Sequence, residues 1–352
     1  MQYSQRELSE LANLIKGWGQ ELGFQQVGIT DTDLTEAENR LFDWLDSGMH
    51  GSLHYMSKHG SKRTRPHELV VGTIRVISVR MDYFPPNCRN ITECLEDSAS
   101  AFVSRYALGR DYHKLIRKRL EQLARKITAT VGTFGYRAFA DSAPVMEKPL
   151  AQKAGIGWIG KHSNLLNRRA GSWFFLGELY TDLPLPCDQS ETDHCGSCTA
   201  CISACPTDAI VEPYVVDARK CISYWTIEYR GSVPEKMRPF IGNRIFGCDD
   251  CQVVCPWNRF AGTTEEKDFE VRNQLDQIGL CEVFKWSEQD FLSKMGGSAI
   301  YRLGYELWLR NVAIALGNAD TSPAVLDALQ FRRNDPSALV REHVIWALEQ
   351  HH

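Results

Sequence analysis

The stretch that decides the fold is Cys195-Gly-Ser-Cys198-Thr-Ala-Cys201-Ile-Ser-Ala-Cys205-Pro206. Its spacing, C-x2-C-x2-C-x3-C-P, is the spacing with which bacterial two-cluster ferredoxins hold [4Fe-4S] clusters. A structural zinc site on a C-x2-C pair would use four cysteines and leave the rest of this pattern unexplained. The stretch therefore predicts iron-sulfur chemistry.

A second, split copy of the pattern follows. The run Cys248-Asp-Asp-Cys251-Gln-Val-Val-Cys255-Pro256 repeats the end of the spacing, and Cys221 stands upstream as the remaining member. In such runs the fourth cysteine points toward the partner cluster, so the ligands cross over. The prediction is that cluster 1 takes Cys195, Cys198, Cys201 and Cys255, and that cluster 2 takes Cys205, Cys221, Cys248 and Cys251.

Composition places these motifs in a soluble, globular chain. It has 352 residues, 12 cysteines and a formal net charge of −4. We find no secretion signal and no apolar run long enough for a membrane span, so we expect a cytoplasmic protein without disulfides. Cys88, Cys94, Cys187 and Cys281 match no ligand position, and we expect free thiols there.

The residues before the cluster motifs alternate between helical and strand patterns. Helices are predicted at 4–22, 37–46, 91–108 and 112–131, and strands at 27–30, 73–81 and 173–180. This order predicts an α/β domain that ends near Pro184.

The last part of the chain carries a repeat. The segments 310–316 and 342–348 superpose with an offset of 32 residues, as from Ala315 to Ala347. This period indicates HEAT-like paired helices, although it is shorter than the usual 40 to 47 residues, roughly.

Two further segments carry candidate chemistry. Asp141-Ser-Ala-Pro144 joins a predicted strand to a helix, and 154–164 is a glycine-rich turn that ends in Lys161-His-Ser-Asn164. The turn is neither a Walker loop nor a G-x-G-x-x-G dinucleotide motif. It suits a large polar cofactor, and an ordinary packed turn is the alternative. For Asp141 the alternative is a helix N-cap.

The order of these motifs resembles the epoxyqueuosine reductases. The resemblance rests on 110–113 (Arg-Asp-Tyr-His), 141–144, 157–161 (Gly-Trp-Ile-Gly-Lys), 177–179 (Gly-Glu-Leu) and the crossed cysteine runs. It implies an α/β + α architecture: a cobalamin-binding α/β domain at 1–184, a ferredoxin-like two-cluster domain at 185–262 and HEAT-like helical repeats at 263–352. It also implies reduction of the epoxide of epoxyqueuosine, at the wobble position of tRNAs with a GUN anticodon, to give queuosine.

The resemblance gives roles to individual residues. Asp141 aligns with the proton donor of the family, and we expect an apolar pocket to raise its pKa. Contacts to cobalamin are expected from Asp141, Gly160, Lys161, Asn164, Ser223 and Trp225. The chain has no Asp-x-His-x-x-Gly motif to supply a lower-face histidine, so base-off cobalamin is expected. For Ser223 and Trp225, core packing is the alternative.

Partners follow from the same reasoning. Phosphate contacts with tRNA are expected from the basic residues of 112–131, namely Lys114, Arg117, Lys118, Arg119, Arg125 and Lys126, and from Arg168-Arg169 and Arg332-Arg333. Electrons must come from an external donor of the flavodoxin or ferredoxin type, or from another reductase. We expect a monomer. The alternatives are a corrinoid reductive dehalogenase, which the missing twin-arginine signal opposes, and a non-enzymatic ferredoxin-type electron carrier.

Overall fold

The computed structural model describes residues 3–351 of the chain. Its helices are α1 Gln5–Glu21, α2 Thr35–Asp46, α3 Pro66–Leu69, α4 Ile91–Glu96, α5 Tyr112–Val131, α6 Glu147–Lys153, α7 Ala200–Ser203, α8 Arg238–Ile241, α9 Asp250–Val253, α10 Leu280–Lys285, α11 Glu288–Met295, α12 Tyr305–Gly317, α13 Pro323–Phe331 and α14 Ala338–Glu349. Its strands are β1 Gln26–Thr30, β2 Arg75–Asp82, β3 Phe102–Val103, β4 Tyr136–Phe139, β5 Trp158–Ile159, β6 Leu165–Leu166, β7 Phe174–Thr181, β8 Ile210–Glu212, β9 Val215–Val216 and β10 Arg244–Phe246.

The N-terminal part is built on a four-stranded sheet with the order β1-β2-β7-β4. All three pairings are antiparallel, whereas strict alternation of strands and helices would favour a parallel sheet. Helices α1 and α5 cover one face with an apolar core that includes Ile15, Ile116 and Leu120. The mixed helix and sheet fold predicted from the sequence is thus present.

Helix α5 begins at a capped first turn and packs directly on the sheet. Asp111 caps its first turn by accepting from the backbone N–H of His113 at 3.1 Å. Its buried stripe packs so closely on β7 that a Cβ at Gly177 would lie 2.5 Å from the Ile116 side chain. Glycine at this position therefore lets the helix lie directly on the sheet, with the N-terminus of the helix beside the end of β4.

One predicted helix is wrong in its extent. The segment predicted as helix at 91–108 forms α4, then β3, which pairs in parallel with β10, and then a short 3-10 helix at Arg105–Ala107. The side chain of Asn243, just before β10, donates to the carbonyls of Cys94, Asp97 and Ser100. These long-range bonds stabilise a turn where local propensity favours a helix.

The C-terminal helices α10 to α14 pack on the cluster region. The two segments that repeat with the offset of 32 residues lie in α12 and α14, and these helices touch where Gly317 meets Ala347. One apolar core joins Val103, Phe246, Trp308 and Val344, so it extends across the domain boundaries expected at 184 and 262.

A buried arginine locks this junction. The guanidinium of Arg310 donates to the carbonyls of Trp225, Tyr229 and Gly231. It thereby fixes the π-helical turn Tyr224–Glu228 that follows Cys221. The terminal helices therefore support the cysteine loops directly.

Within the described part of the chain, no helix has the length and apolar character that a membrane crossing demands.

Candidate functional site

Two neighbouring cavities contain the eight cysteines of the motifs. The first cavity, of about 240 Å³, is lined by Cys195, Cys198, Cys201 and Cys255. The second cavity, of about 420 Å³, is lined by Cys205, Cys221, Cys248 and Cys251. Each cavity is thus lined by one of the two cysteine sets, whose role as cluster ligands stays a prediction.

The electrostatics of the thiols agree with this grouping. Burial, followed by the thiols of Cys255, Cys195 and Cys198, raises the pKa of Cys201 to about 11. Burial, followed by Cys221, Asp249, Cys201 and Cys205, raises the pKa of Cys251. Thiols that oppose one another's ionisation in this way fit clusters of iron, because iron ligation replaces the thiol protons. Because Cys201 of the first set raises the pKa of Cys251 in the second set, the two sets must be neighbours.

Short helices and buried polar side chains hold the cysteine loops. Helices α7 and α9 precede Cys205 and Cys255 and pack against each other. The buried carboxylate of Asp249 accepts from the Ser104 hydroxyl at 2.6 Å and from the Arg105 N–H at 2.8 Å. These two hydrogen bonds tie the cluster region to the N-terminal part through the buried Asp249 side chain.

Lys161 lies at the first cavity and not at the second. Its ammonium donates to the carbonyls of Gly196 at 2.6 Å and Cys198 at 2.8 Å, and the residue is only 9% exposed. The sequence suggested a contact to cobalamin. The geometry instead gives Lys161 the task of holding the Cys195–Cys201 loop in shape.

Replacing Lys161 with methionine is expected to loosen this loop. A hydrogen bond to a charged group contributes about 1.5–3 kcal/mol, and the substitution removes two of them. Iron analysis of reconstituted protein should therefore show partial loss of iron relative to the parent chain. The matched control is Lys153→Met, which removes an ammonium that bonds to Asp31 and Asp33 instead. Equal iron contents in the two variants would contradict this role of Lys161.

Of the other expected cofactor contacts, two line the second cavity and two do not. Asn164 and Ser223 line the second cavity. Trp225 packs in the apolar core, edge-on to Tyr224 and Tyr229, as the core-packing alternative anticipated. Gly160 lies in the turn between β5 and β6, where its N–H donates to the Asn164 carbonyl.

His162 is a buried group that the sequence did not single out. It lines both cavities and is 4% exposed. Burial and the charge of Lys148 lower its pKa to about 4, so the ring is neutral. Its Nδ1 accepts from the Asn164 N–H, which assigns the proton to Nε2, and Nε2 has no hydrogen-bond partner among residues 3–351. A buried donor without a partner is costly, so the site suits a large group that carries acceptors.

Asp141 lies beside the second cavity, within reach of two donors. Its Oδ2 atom accepts from the Tyr112 hydroxyl and from His113 Nε2, each at 3.0 Å, and Tyr112 lines the cavity. Helix α6 is capped at Met146 and not by Asp141, so the N-cap alternative is wrong. Asp141 has φ +53°, and its N–H donates to Glu147 at 2.6 Å.

The expected rise in the pKa of Asp141 is wrong for this arrangement. Partial desolvation by the residues around it favours a higher value, but the hydrogen bond and charge of His113, followed by Tyr112 and Arg302, lower the pKa of Asp141 below its ordinary value. Burial would lower the pKa of His113, yet Asp111 and Asp141 raise it to about 9. At neutral pH the proton of this pair therefore resides on His113.

His113 is itself fixed from the other side. Its Nδ1 atom lies 2.5 Å from Asp111, and the ring is 5% exposed. Asp111, His113 and Asp141 thus form a chain of hydrogen bonds that ends at the second cavity. The sequence signal for His113 was its place in the Arg-Asp-Tyr-His segment.

Three of the basic residues expected to bind phosphate form bonds within the protein instead. Arg332 donates to the carbonyls of Phe284 and Trp286 and pairs with Asp335, so it is a structural residue. Arg119 and Lys126 of α5 form ion pairs with Glu266 and Glu21. Exposed charge on α5 remains at Lys114, Arg117, Lys118 and Arg125.

Two neighbouring cavities are each lined by four cysteines, and the second one has Asp141 at its edge. This arrangement is typical of an iron-sulfur oxidoreductase. Residues 194–258 match the family model described as "4Fe-4S double cluster binding domain", and residues 63–142 match "Epoxyqueuosine reductase QueG, DUF1730". The epoxyqueuosine reductase of Pseudomonas aeruginosa is 60% identical over 344 residues, covering 97% of this chain and 95% of the relative. The chain belongs to the epoxyqueuosine reductase family.

Other relatives and solved structures agree. The epoxyqueuosine reductase of Escherichia coli is 56% identical and covers 98% of this chain and 90% of its own length. A crystal structure of an epoxyqueuosine reductase with an epoxyqueuosine-modified tRNA-Tyr stem loop is 26% identical, with a TM-score of 0.86, and the match covers 97% of this chain and 90% of that chain. The Bacillus subtilis enzyme, whose catalytic aspartate loop is swung out of the active site, is 25% identical with the same TM-score and coverage.

Proposed function

We propose that this chain reduces the epoxide of epoxyqueuosine in tRNA to give queuosine. The observation that carries the proposal is the second cavity, which joins the thiols of one cysteine set to Tyr112 and, through its hydroxyl, to Asp141. The rival assignments as a dehalogenase or a simple electron carrier have no comparable support. The preferred substrate is tRNA with a GUN anticodon, and the chain is proposed to act as a monomer.

The proposal includes base-off cobalamin, placed beside the cluster that Cys205, Cys221, Cys248 and Cys251 would hold, against the part of the second cavity that Tyr112, Asn164 and Ser223 line. Side chains of this chain supply no electrons, whereas opening an epoxide to an alkene consumes two electrons and two protons and releases water. The buried Nε2–H of His162, with Asn164 and Ser223, would hold the polar periphery of the corrin. When bound, a cobalt corrin accepts electrons singly and acts as a nucleophile or electron donor toward a strained C–O bond.

The residues around Asp141 would move the proton. The His113 Nε2 atom lies 3.0 Å from Asp141 Oδ2, and transfer of its proton along this hydrogen bond would make Asp141 a carboxylic acid at the cavity edge. The filled cavity would exclude water from Asp141, whose side chain is 55% exposed in the structure. Loss of water favours the neutral acid. Asp111 would then stabilise His113 when it regains a proton.

Turnover is expected to fall as the pH rises through about 9. The pKa of His113 is raised from 6.5 to about 9, so its positive charge is present at neutral pH and is lost as the pH rises through about 9. The stability that this charge contributes is fully present below pH 6.5 and is lost as the pH rises through about 9. The measurement is kcat against pH. The variant His113→Gln retains a donor to Asp141 without a titrating proton, and should turn over slowly without this alkaline limb. An unchanged limb in that variant would assign it to another group.

Cobalamin dependence tests the proposed function. Anaerobically reconstituted protein should bind cobalamin, with corrin absorption bands beside the broad iron-sulfur absorption. It should convert epoxyqueuosine-containing tRNA only when cobalamin and a reductant are both present. Conversion at the same rate without cobalamin would overturn the cofactor assignment, and no conversion with both would overturn the proposed activity.

A further inference from the structure

The first cavity opens on the protein surface. Its loop is exposed from Gly196 to Thr199, including Cys198. The second cavity is the one that contacts Tyr112, the hydrogen-bond partner of Asp141. Because the two cavities are adjacent, electrons that come from outside meet the first cavity before they reach the substrate side.

Three exposed arginines lie on two segments beside this opening, and Arg168 contacts His194, which lines the first cavity. Arg168 and Arg169 are at the tip of the hairpin whose residues Asn167 and Gly171 pair with each other, and Arg259 lines the first cavity. The hairpin is seated on the segment that carries Arg259, because the Ser172 N–H donates to the Asn258 side chain at 2.6 Å. The three arginines thus form one basic rim.

Two of the three positive charges of this rim are unpaired among the described residues. Arg168 pairs with Glu191 at 2.9 Å, but within the described residues neither Arg169 nor Arg259 forms an ion pair. The guanidinium of Arg259 lies 4.6 Å from the centre of the Phe260 ring, and Phe260 is 45% exposed. A chain with a net charge of −4 thus presents a positive, partly aromatic rim at its exposed cysteine loop.

We propose that Arg168, Arg169, Arg259 and Phe260 form the docking surface for an acidic one-electron carrier protein. The proposal rests on the proposed function, in which electrons are supplied from outside. In each encounter the carrier is oxidised by one electron, and the cluster held by the first cysteine set is reduced by one. Arginine and aromatic residues are enriched at protein interfaces, and complementary charge speeds encounter.

The tRNA is a less suitable occupant of this rim. A base must reach Asp141, which contacts the second cavity through Tyr112, whereas the rim surrounds the exposed loop of the first cavity. An electron carrier needs the opposite placement, close to the exposed cluster loop and away from the substrate.

Charge reversal tests the proposal with a reduced flavodoxin as the acidic probe. The double variant R169E/R259E should bind the flavodoxin at least about tenfold more weakly than the parent at low salt, with a correspondingly slower bleaching of cluster absorbance in anaerobic stopped flow. Added salt should remove most of this difference. Reduction by dithionite, a small reductant that does not use the docking surface, is measured on the same proteins, and the rate of reduction by flavodoxin is compared after division by the dithionite rate.

The matched control is R6E/K236E, which makes the same change in net charge at exposed positions elsewhere. Equal loss of flavodoxin binding in the control and the rim variant would overturn the proposal. So would a rim variant that loses tRNA binding while flavodoxin binding is unchanged, because the rim would then belong to the RNA. Neither readout needs queuosine formation, so failure of the proposed function is detected separately.

Discussion

Replacing Asp141 with asparagine is expected to lower turnover by about 10²- to 10⁴-fold. The amide oxygen of asparagine can still accept from Tyr112 and His113, which bond Asp141 at 3.0 Å. Asparagine also tolerates the positive φ of +53° at this position. The variant should therefore fold and bind both cofactors, but it cannot give up a proton at neutral pH. Single-turnover kinetics with reduced, cobalamin-loaded protein measure the loss.

The control for this substitution is Ser142→Ala, which changes the next residue of the same loop and should have little effect. Near-normal turnover by the asparagine variant would refute the acid role. A variant that failed to bind cobalamin would show that Asp141 is needed for cofactor binding, and the proton donor would be sought elsewhere.

The crossed cysteine sets predict a distinctive pattern of iron loss. Cys255→Ser and Cys251→Ser should each leave about four of about eight iron atoms, and the double variant should leave almost none, because the two residues line different cavities. If the ligands did not cross, both residues would hold one cluster and the double variant would retain about four iron atoms. Iron and sulfide analysis after anaerobic reconstitution distinguishes the two arrangements.

Exposed Cys187 provides the matched control. It follows no ligand spacing, so Cys187→Ser should retain about eight iron atoms. Loss of iron in this control would show that removing any cysteine lowers the iron content, whether or not that cysteine is a predicted ligand.

Covalent spacing explains why the cysteine sets could be predicted. Cysteines separated by two or three residues leave the chain few ways to surround a cluster, and each predicted set lines one cavity. Local patterns also predicted α1 and α5, since each has a strong apolar stripe and a polar cap at Ser4 or Asp111. Their apolar stripes indicated the core face before any tertiary contact was known.

Features that depend on distant contacts were not predictable. No sequence pattern within Ile91–Leu108 predicts that β3 pairs with β10 or that Asn243 donates hydrogen bonds to this segment. The same holds for the placement of Lys161 at the Cys195–Cys201 loop, and for Arg332 among the carbonyls of α10. Each of these side chains bonds to backbone carbonyls, which are present at every residue and leave no signature in the sequence.

The protonation state of the acid also required the fold. The sequence placed Asp141 in a turn and suggested an apolar pocket, but the neighbouring cation comes from the first turn of α5, 28 residues earlier. His113 reverses the expected shift in the pKa of Asp141, and it changes the proposed proton source from an isolated carboxylic acid to a relay.

The reduction of epoxyqueuosine is measured by the mass of the modified nucleoside. Reduced, cobalamin-loaded protein is incubated with epoxyqueuosine-containing tRNA, and the nucleosides are separated and analysed by mass spectrometry. We expect epoxyqueuosine to be replaced by a nucleoside that is lighter by one oxygen atom and coelutes with queuosine. Unchanged epoxyqueuosine, from protein shown to contain both clusters and cobalamin, would contradict this expectation.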